Sequence, residues 1–382
     1  MSDRVVARTE PARAQARFET ARGRAAHATS LKASRTNLRG SMNPLASDEV
    51  CGAVLCAGLG TRLRPATLHT PKPGVPFLGR PIAVHSLEAM VAAGITRLGV
   101  NTHHLPQAML EALRPFSAKH PLCVSHEDGE IQGTGGGLRE IWRQLGPDKP
   151  IVMAHGDVVL GVDLAPIIAA HQASRAAATL VLKLRDGSTS LRGVFTDASG
   201  QVARILTHER PARVEPLFEH AFTGIQVLSP EVFGQLPKSG PCCLVNEIYP
   251  KLLAADRPLH AFLTTAFYAD LGTYPRYLEA QSAVFEGPAR LGGVHWPTQR
   301  EPGLYLDESV QIEPGAKLLA PVRLEGAVTV RRGATVGPYA ALQGEIEVCA
   351  GCTVERASVW GKGVLVESIK NRLEALGPEV AP

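Results

Sequence analysis

Gly58, Gly60, Arg62 and Lys72 lie close together between Leu55 and Pro73. The glycines let backbone approach a ligand closely, and exposed N–H groups there favour phosphate. Arg62 and Lys72 add more fixed positive charge than a dinucleotide fingerprint supplies, so a polyphosphate is the natural guest. Two commoner phosphate loops are excluded. No Gly-Lys-Ser/Thr follows a glycine at Walker spacing, and Leu63 stands where a dinucleotide loop needs its third small residue. Two carboxylates extend the chemistry: Asp157, after His155-Gly156, and Asp270, in Tyr268-Ala269-Asp270-Leu271-Gly272-Thr273. A pair of this kind suits Mg²⁺, a hard ion held by one or two carboxylates plus substrate phosphates. Either aspartate alone also fits a turn residue or a helix cap.

The elements that must carry these residues follow from periodicity. An apolar run from Ala53 to Ala57 ends at Gly58, so a buried strand feeds the glycine loop. Strands are predicted over 52–57, 96–101, 122–126 and 151–154. Amphipathic segments over 81–93, 106–113 and 137–145 separate them, and a helix over 274–280 follows Asp270. Strand and helix in alternation predict a mainly parallel sheet with helices on both faces. Ligands of such sheets collect beyond the carboxyl ends of the strands, where both the glycine loop and Asp157 fall.

The whole opening segment, with Gly58, Gly60, Thr61, Arg62, Leu63, Pro65, Thr67, Pro71, Lys72 and Pro73, resembles the first motif of the sugar-1-phosphate nucleotidyltransferases. Asp157 and Asp270 correspond to that family's Gly-Asp and Asp-Ile/Val-Gly-Thr motifs, and the resemblance implies that they hold a catalytic Mg²⁺. It implies catalytic roles for Arg62 and Lys72. It assigns Leu55, Ala57, Gly58, Gly60, Thr61, Arg62, Gly133 and Thr134 to the nucleotide, the last two through a Gly-Thr-rich segment that otherwise reads as a turn before a helix. Gly156, Glu209, Arg210, Thr223 and Gly224 are implied for the sugar phosphate. Arg210 replaces the family's usual lysine, which alters geometry while keeping charge, and a surface ion pair is the competing reading of Glu209-Arg210.

The implied reaction joins an NTP and a sugar 1-phosphate into an NDP-sugar with release of pyrophosphate. The chain is most similar to the mannose-1-phosphate guanylyltransferase branch, on Val100 to Leu105 and the triple glycine 135–137. A uridylyl- or other nucleotidyltransferase acting on N-acetylmuramate, heptose or glucose 1-phosphate is the alternative. A non-catalytic subunit that senses sugar nucleotides is the rival from another class, and such a subunit would not need Arg62, Lys72, Asp157 and Asp270 together.

From Leu306 a six-residue apolar period begins and continues through Ile312, Leu318, Leu324, Val330, Val336, Leu342, Val348, Val354, Trp360 and Val366. A second track two positions earlier is small or β-branched and includes Cys352. Hexapeptide repeats of this kind wind as a parallel β-helix, here of about three coils. Related left-handed helices include acyltransferases, which use a histidine base, and residues 296–382 contain none. An assembly or regulatory module is the better reading, with a homo-oligomer joined through it. The fold class expected is therefore α/β, a Rossmann-like mainly parallel sheet of the nucleotide-diphospho-sugar transferase type followed by a short left-handed parallel β-helix. The expected organisation is a basic tail over 1–48, a catalytic domain over 49–285, a linker over 286–303, the β-helix over 304–366 and a C-terminal tail over 367–382.

The chain has 382 residues and a net charge of +4, but residues 1–41 hold nine Lys or Arg against three acids, which leaves the remainder mildly negative. Charge therefore gives no argument for nucleic acid. The basic tail carries few large apolar residues and is expected to be disordered. No run has the length of a membrane span. Seven irregularly spaced cysteines without a secretion signal predict reduced thiols and a cytoplasmic location.

Overall fold

The computed structural model describes residues 49–184, 193–287, 291, 294 and 296–377. The basic tail expected over 1–48 lies outside the described residues.

The first part begins with β1 (Cys51–Leu55), the hairpin β2 (Pro76–Phe77) and β3 (Arg80–Pro81), and α1 (Ile82–Ala92). β4 (Arg97–Thr102), α2 (Pro106–Ser117), β5 (Leu122–His126), α3 (Gly133–Leu145) and β6 (Ile151–His155) continue the alternation. β1 pairs in parallel with β4 and with β6, and β4 with β5. Central parallel strands are covered on both faces, which is why Cys51, Ala53 and Val54 are all fully buried rather than alternating. α2 starts at Pro106, whose fixed φ and missing N–H suit a first helical position. α3 begins four residues before the predicted amphipathic run, at Gly133, and takes the whole glycine run into its first turns.

The second half of the sheet is mostly antiparallel, with one parallel pair between its strands over 178–183 and 259–264, and the alternation of strands and helices did not predict the antiparallel pairs. After β7 (Val158–Leu160) and α4 (Ala165–Ser174) come β8 (Ala178–Leu184), β9 (Gly193–Thr196), β10 (Val202–Ile205), β11 (His208–Glu209) and β12 (Phe218–Leu228). Then follow α5 (Pro230–Phe233), α6 (Tyr249–Ala254), β13 (Leu259–Thr264), β14 (Tyr268–Asp270) and α7 (Tyr274–Glu286). β12 runs antiparallel to β6, β8 and β9 and joins the two halves, in the order β11-β10-β9-β12-β6-β1-β4-β5. β14 pairs with β7, away from the main sheet, and so brings Asp270 opposite Val158, next to Asp157. The main core lies between the sheet and α3 and α6, around Leu138, Ile141, Trp142, Tyr249 and Leu253. Each fully buried aliphatic or aromatic side chain of this set contributes roughly 1.5–3 kcal/mol.

The repeat region starts with β15 (Gln299–Glu301) and β16 (Leu304–Leu306) and continues through β17 (Gln311–Ile312), β18 (Lys317–Leu318), β19 (Val322–Glu325), β20 (Val328–Val330) and β21 (Thr335–Val336). β22 (Ala340–Val348), β23 (Thr353–Glu355), β24 (Ser358–Leu365), β25 (Ile369–Lys370) and β26 (Leu373–Leu376) complete it. Coils stack in parallel: Val322 pairs with Ala340 and Thr335 with Thr353, three hexapeptides apart. Leu324, Val330, Val336, Leu342, Val348 and Val354 are fully buried in its core, and Cys352 joins them as expected.

Three expectations for the repeat are corrected. Ile312 is exposed, because the first coil has a neighbour on one side only. The frame slips after Val354: Leu342 pairs with Val359 and Val348 with Leu365, so these fill the interior and Val366 is exposed. Coils also continue past Val366, since β25 pairs with β23 and β26 with β24. No helix among the described residues is long and apolar enough to cross a membrane.

Candidate active site

The carboxyl end of β1 turns outward at Gly58 and Gly60. Gly60 has φ 64°, a left-handed conformation that a side chain resists, and caps the 3₁₀ turn Thr61–Leu63. A Cβ on Gly60 would lie 2.9 Å from the Cβ of Lys72, so the missing side chain lets Lys72 pack beneath the loop. The Thr67 hydroxyl donates to the Gly60 carbonyl at 2.9 Å and closes the loop on itself.

Lys72 is 6% exposed. Its Nζ donates to Asp157 Oδ2 at 2.7 Å and stands 3.8 Å from Asp270 Oδ1. Arg276, in the first turn of α7, donates to the other oxygen of Asp270 at 2.7 Å. Burial works to raise the pKa of Asp157, but Lys72 and His155 outweigh it and hold the carboxyl below its ordinary value. His155 is pushed down by burial, with Asp157 and Asp270 opposing. Gly272 completes this corner, since a Cβ there would lie 2.8 Å from Asp270 Oδ1 and 3.2 Å from Arg62 Nη2. Two cations from the loop and two carboxylates from separate strand ends thus converge on one point.

Leu55, Ala57, Gly58, Gly60, Thr61, Arg62, Lys72, Gly133, Thr134 and Asp157 line one cavity of about 430 Å³. A larger cleft, of about 860 Å³, lies between α1, α2 and the repeat and holds none of them. Charge and open backbone meet in the smaller cavity, which makes it the candidate site. Gly133 has φ 69°, and a Cβ on it would press within 2.7 Å of the Cys242 carbonyl. Thr134 accepts the Leu244 amide at 2.9 Å, which pins the start of α3 against the 241–244 segment.

The sugar-phosphate set divides. Gly156 donates its N–H to Leu55 O at 2.8 Å, and a Cβ would meet Cys56 and Pro73, so it serves close packing behind the site. Gly224, at φ 80°, leaves room for the His155 ring. The Thr223 hydroxyl donates to Val181 O at 2.8 Å and is buried away from the cavity. Glu209 and Arg210 do not line it either. Arg210 donates to Asp256 at 2.5 Å and to Gln201, while Glu209 pairs with Arg213 at 3.0 Å and with Arg204. These two residues sit at the outer edge of the antiparallel half, where the ion-pair reading describes their contacts.

Sequence reasoning did not single out Asn101, Glu127, His155, Gly272 or Arg276 for the site. Asn101 Oδ1 accepts the Cys56 amide at 2.6 Å and its Nδ2 donates to Glu127 Oε1 at 2.5 Å, while Glu127 Oε2 accepts the Gln132 amide at 2.8 Å. This buried network ties the ends of β1, β4 and β5 to the start of α3. Asn101, Glu127 and His155 all lie at or just past the carboxyl ends of parallel strands, so the strand-end rule that found Asp157 also pointed to them. Among the described residues no cluster of three or more His, Cys, Asp or Glu could hold a metal unaided.

Residues 51–287 match the Nucleotidyl transferase family model. A mannose-1-phosphate guanylyltransferase of Mycobacterium tuberculosis is 30% identical over 320 residues, covering 82% of this chain and 85% of that protein. A UTP–glucose-1-phosphate uridylyltransferase of Synechocystis is 26% identical over 328 residues, covering 80% and 82%. A solved structure from Bacillus anthracis, assigned as a glucose-1-phosphate thymidylyltransferase, shares the fold with TM-score 0.52 at 20% identity, over 65% of this chain and 98% of that one. The converging cations and carboxylates thus sit where the matched region folds, and the chain belongs to the nucleotidyl transferase family, as an enzyme of its sugar-1-phosphate class.

Proposed function

We propose that the enzyme transfers a guanylyl group from GTP to mannose 1-phosphate, giving GDP-mannose and pyrophosphate. The observation that carries the reaction is the convergence of Lys72, Asp157 and Asp270 beside the Arg62 loop. The choice of substrates rests on the similarity to the mycobacterial guanylyltransferase. An oxygen of the sugar phosphate attacks the α-phosphorus in line, and pyrophosphate leaves. The attacking phosphate is already anionic at neutral pH, so no general base is needed and catalysis reduces to positioning and charge neutralisation. Arg62, exposed on its turn, meets the leaving phosphates. Lys72, held from below, neutralises charge at the α-phosphate and the incoming sugar phosphate. Gly58, Gly60 and Thr61 offer backbone to the nucleotide, and Gly133 and Thr134 flank the base.

Asp157 and Asp270 fit Mg²⁺: they are hard oxygen donors at the ends of two strands, and the ion's remaining positions would be left for water and substrate phosphate oxygens. Bound there, the ion would supply charge stabilisation on the reacting phosphates. Arg276 fixes one oxygen of Asp270 and leaves the other facing Lys72. Assembly as a homo-oligomer through the β-helix is supported by Val364 and Val366, apolar yet 51% and 72% exposed. Seven free thiols suit a cytoplasmic location.

Pyrophosphate release with four NTPs against a panel of sugar 1-phosphates tests the reading. GTP with mannose 1-phosphate should give the highest kcat/KM. Preference for UTP with N-acetylmuramate, heptose or glucose 1-phosphate would replace the substrate assignment, and no release with any pair would sink the activity itself.

A further inference from the structure

The frame slip in the repeat has a consequence for the active site. With Leu342 opposite Val359, Trp360 falls opposite Gln343 and turns out of the coil interior. It is nevertheless only 7% exposed, because it packs in an apolar cluster of the first part of the chain. That cluster holds Leu63, Val75, Val159 and Leu271, and the repeat contributes Trp360 and Leu373. Leu63 follows Arg62, Val75 stands three residues after Lys72, Val159 two after Asp157, and Leu271 follows Asp270. Each of the four proposed reactive groups therefore has a near neighbour along the chain anchored in one cluster, to which the β-helix contributes Trp360 and Leu373.

Polar contacts hold the same strap. The hairpin that follows Lys72 stacks Phe77 edge-on against Tyr277 of α7 at 5.2 Å. The Tyr277 hydroxyl donates to Pro76 O and lies 3.2 Å from the Ser358 hydroxyl, next to the slip. Gln343 donates to the Gly79 carbonyl at 3.1 Å, and a Cβ on Gly79 would overlap the Arg323 guanidinium. The segment from Lys72 to Arg80 is gripped between α7 and the coils.

We infer that Trp360 is a positioning residue for nucleotidyl transfer: by filling the back of this cluster it fixes Lys72 against Asp157 and Asp270. The inference rests on the proposed roles of those three residues. A side chain that acts by alignment should affect turnover more than substrate affinity, because small misplacements of reacting groups lower rate by up to about 100-fold.

The test compares full-length Trp360→Ala, Trp360→Phe and Ile346→Ala, the last emptying a buried position of the coil interior outside this cluster. kcat and KM are measured with whichever substrate pair the wild type turns over, well below each melting temperature. Trp360→Ala should lower kcat by about tenfold or more with NTP KM changed less than about threefold, and Trp360→Phe should recover most of it. Ile346→Ala should lower the melting temperature and leave kcat within about twofold of wild type. If Trp360→Ala does not fold, Leu373→Ala, which opens the same cluster, carries the same expectation. Unchanged kcat in the folded cluster variant, or an equal kcat loss in Ile346→Ala, would overturn the inference. A wild type without turnover on any pair would instead remove the functional reading beneath it, and the inference with it.

Discussion

The parallel and antiparallel halves of the main sheet treat their polar residues in opposite ways. β5, β4, β1 and β6 end side by side, and each delivers a group to the site: Glu127 just past β5, Asn101 on β4, the glycine loop after β1, and Asp157 just past β6. In the antiparallel half, Glu209 pairs with Arg213, Arg210 with Asp256, and the Thr223 hydroxyl donates to the Val181 carbonyl of the neighbouring strand, so none of the three is left facing the cavity. Parallel strands all point one way, so their carboxyl-terminal loops gather on one edge. Antiparallel strands divide their ends between two edges and spread polar groups over the surface. Residues whose role comes from a strand end are placed by topology, whereas residues carried over by motif alone depend on what neighbours the chain provides.

The sharpest way to break this comparison is at the converging charges. Asp157→Asn should lower turnover at least about 100-fold, the scale of losing one charge-stabilising group. It also removes the negative charge that stands 2.7 Å from a lysine that is 6% exposed. Circular dichroism should show the fold retained, and near wild-type turnover at saturating Mg²⁺ would remove Asp157 from the chemistry.

A smaller loss is expected from Gly60→Ala. The φ of 64° disfavours an L-residue by roughly 1–2 kcal/mol, and the new methyl would lie 2.9 Å from Lys72 Cβ, so strain and displacement of the lysine act together. Turnover should fall about tenfold with a measurable drop in urea stability, and a variant with unchanged kcat would mean that Lys72 does not need this contact.

The antiparallel half should show itself in acid rather than in kinetics. His171 is buried on α4, 2.9 Å from the Thr179 hydroxyl and 3.0 Å from that of Ser229, and desolvation, aided by His260, lowers its pKa from 6.5 to about 4. The unfolded chain then binds a proton as pH falls below about 6.5 while the folded chain does not until about 4, so stability rises with pH across that window. This group alone should withdraw about 2 kcal/mol between pH 7 and pH 5. His171→Gln should flatten that part of the melting-temperature profile. His85 on α1, lowered to about 4 mainly by burial, acts in the same direction from the parallel half, and comparing the single with the double variant separates the two.

Much of this was legible in the sequence, for reasons tied to particular residues. The strand over 122–126 was placed correctly, and those of β1, β4 and β6 within two residues, because apolar runs bounded by glycine and proline leave few alternatives. The glycine loop and both aspartates stand out in the sequence because short motifs encode backbone geometry directly, and the fold brings Lys72 of that loop to both carboxylates. The buried Asn101–Glu127 pair was not, since a polar residue beside a strand end looks the same whether it faces solvent or a neighbour. Trp360 was misassigned for a related reason. One residue is lost between Val354 and Val359, yet Trp360 and Val366 keep an apolar residue at every sixth position, so the pattern continues while the backbone frame has moved. Periodicity reports side-chain character, and only strand pairing reports which face is inward.

The smallest expected effect belongs to Arg210. Its guanidinium is engaged by Asp256 and Gln201, and its backbone amide donates to Ala203 O at 2.8 Å, all on the outer edge of the antiparallel half. Asp256 is half exposed, and surface ion pairs of this kind contribute about 0–1 kcal/mol. Arg210→Ala should therefore change kcat/KM for the sugar phosphate by less than about threefold and lower the melting temperature only slightly. Titration of the sugar phosphate at saturating NTP distinguishes the cases, because an arginine that reached the substrate would appear in KM. A rise of tenfold or more with unchanged melting would mean that the edge strand closes onto the cavity when substrate binds, and that the antiparallel half takes part in the chemistry after all.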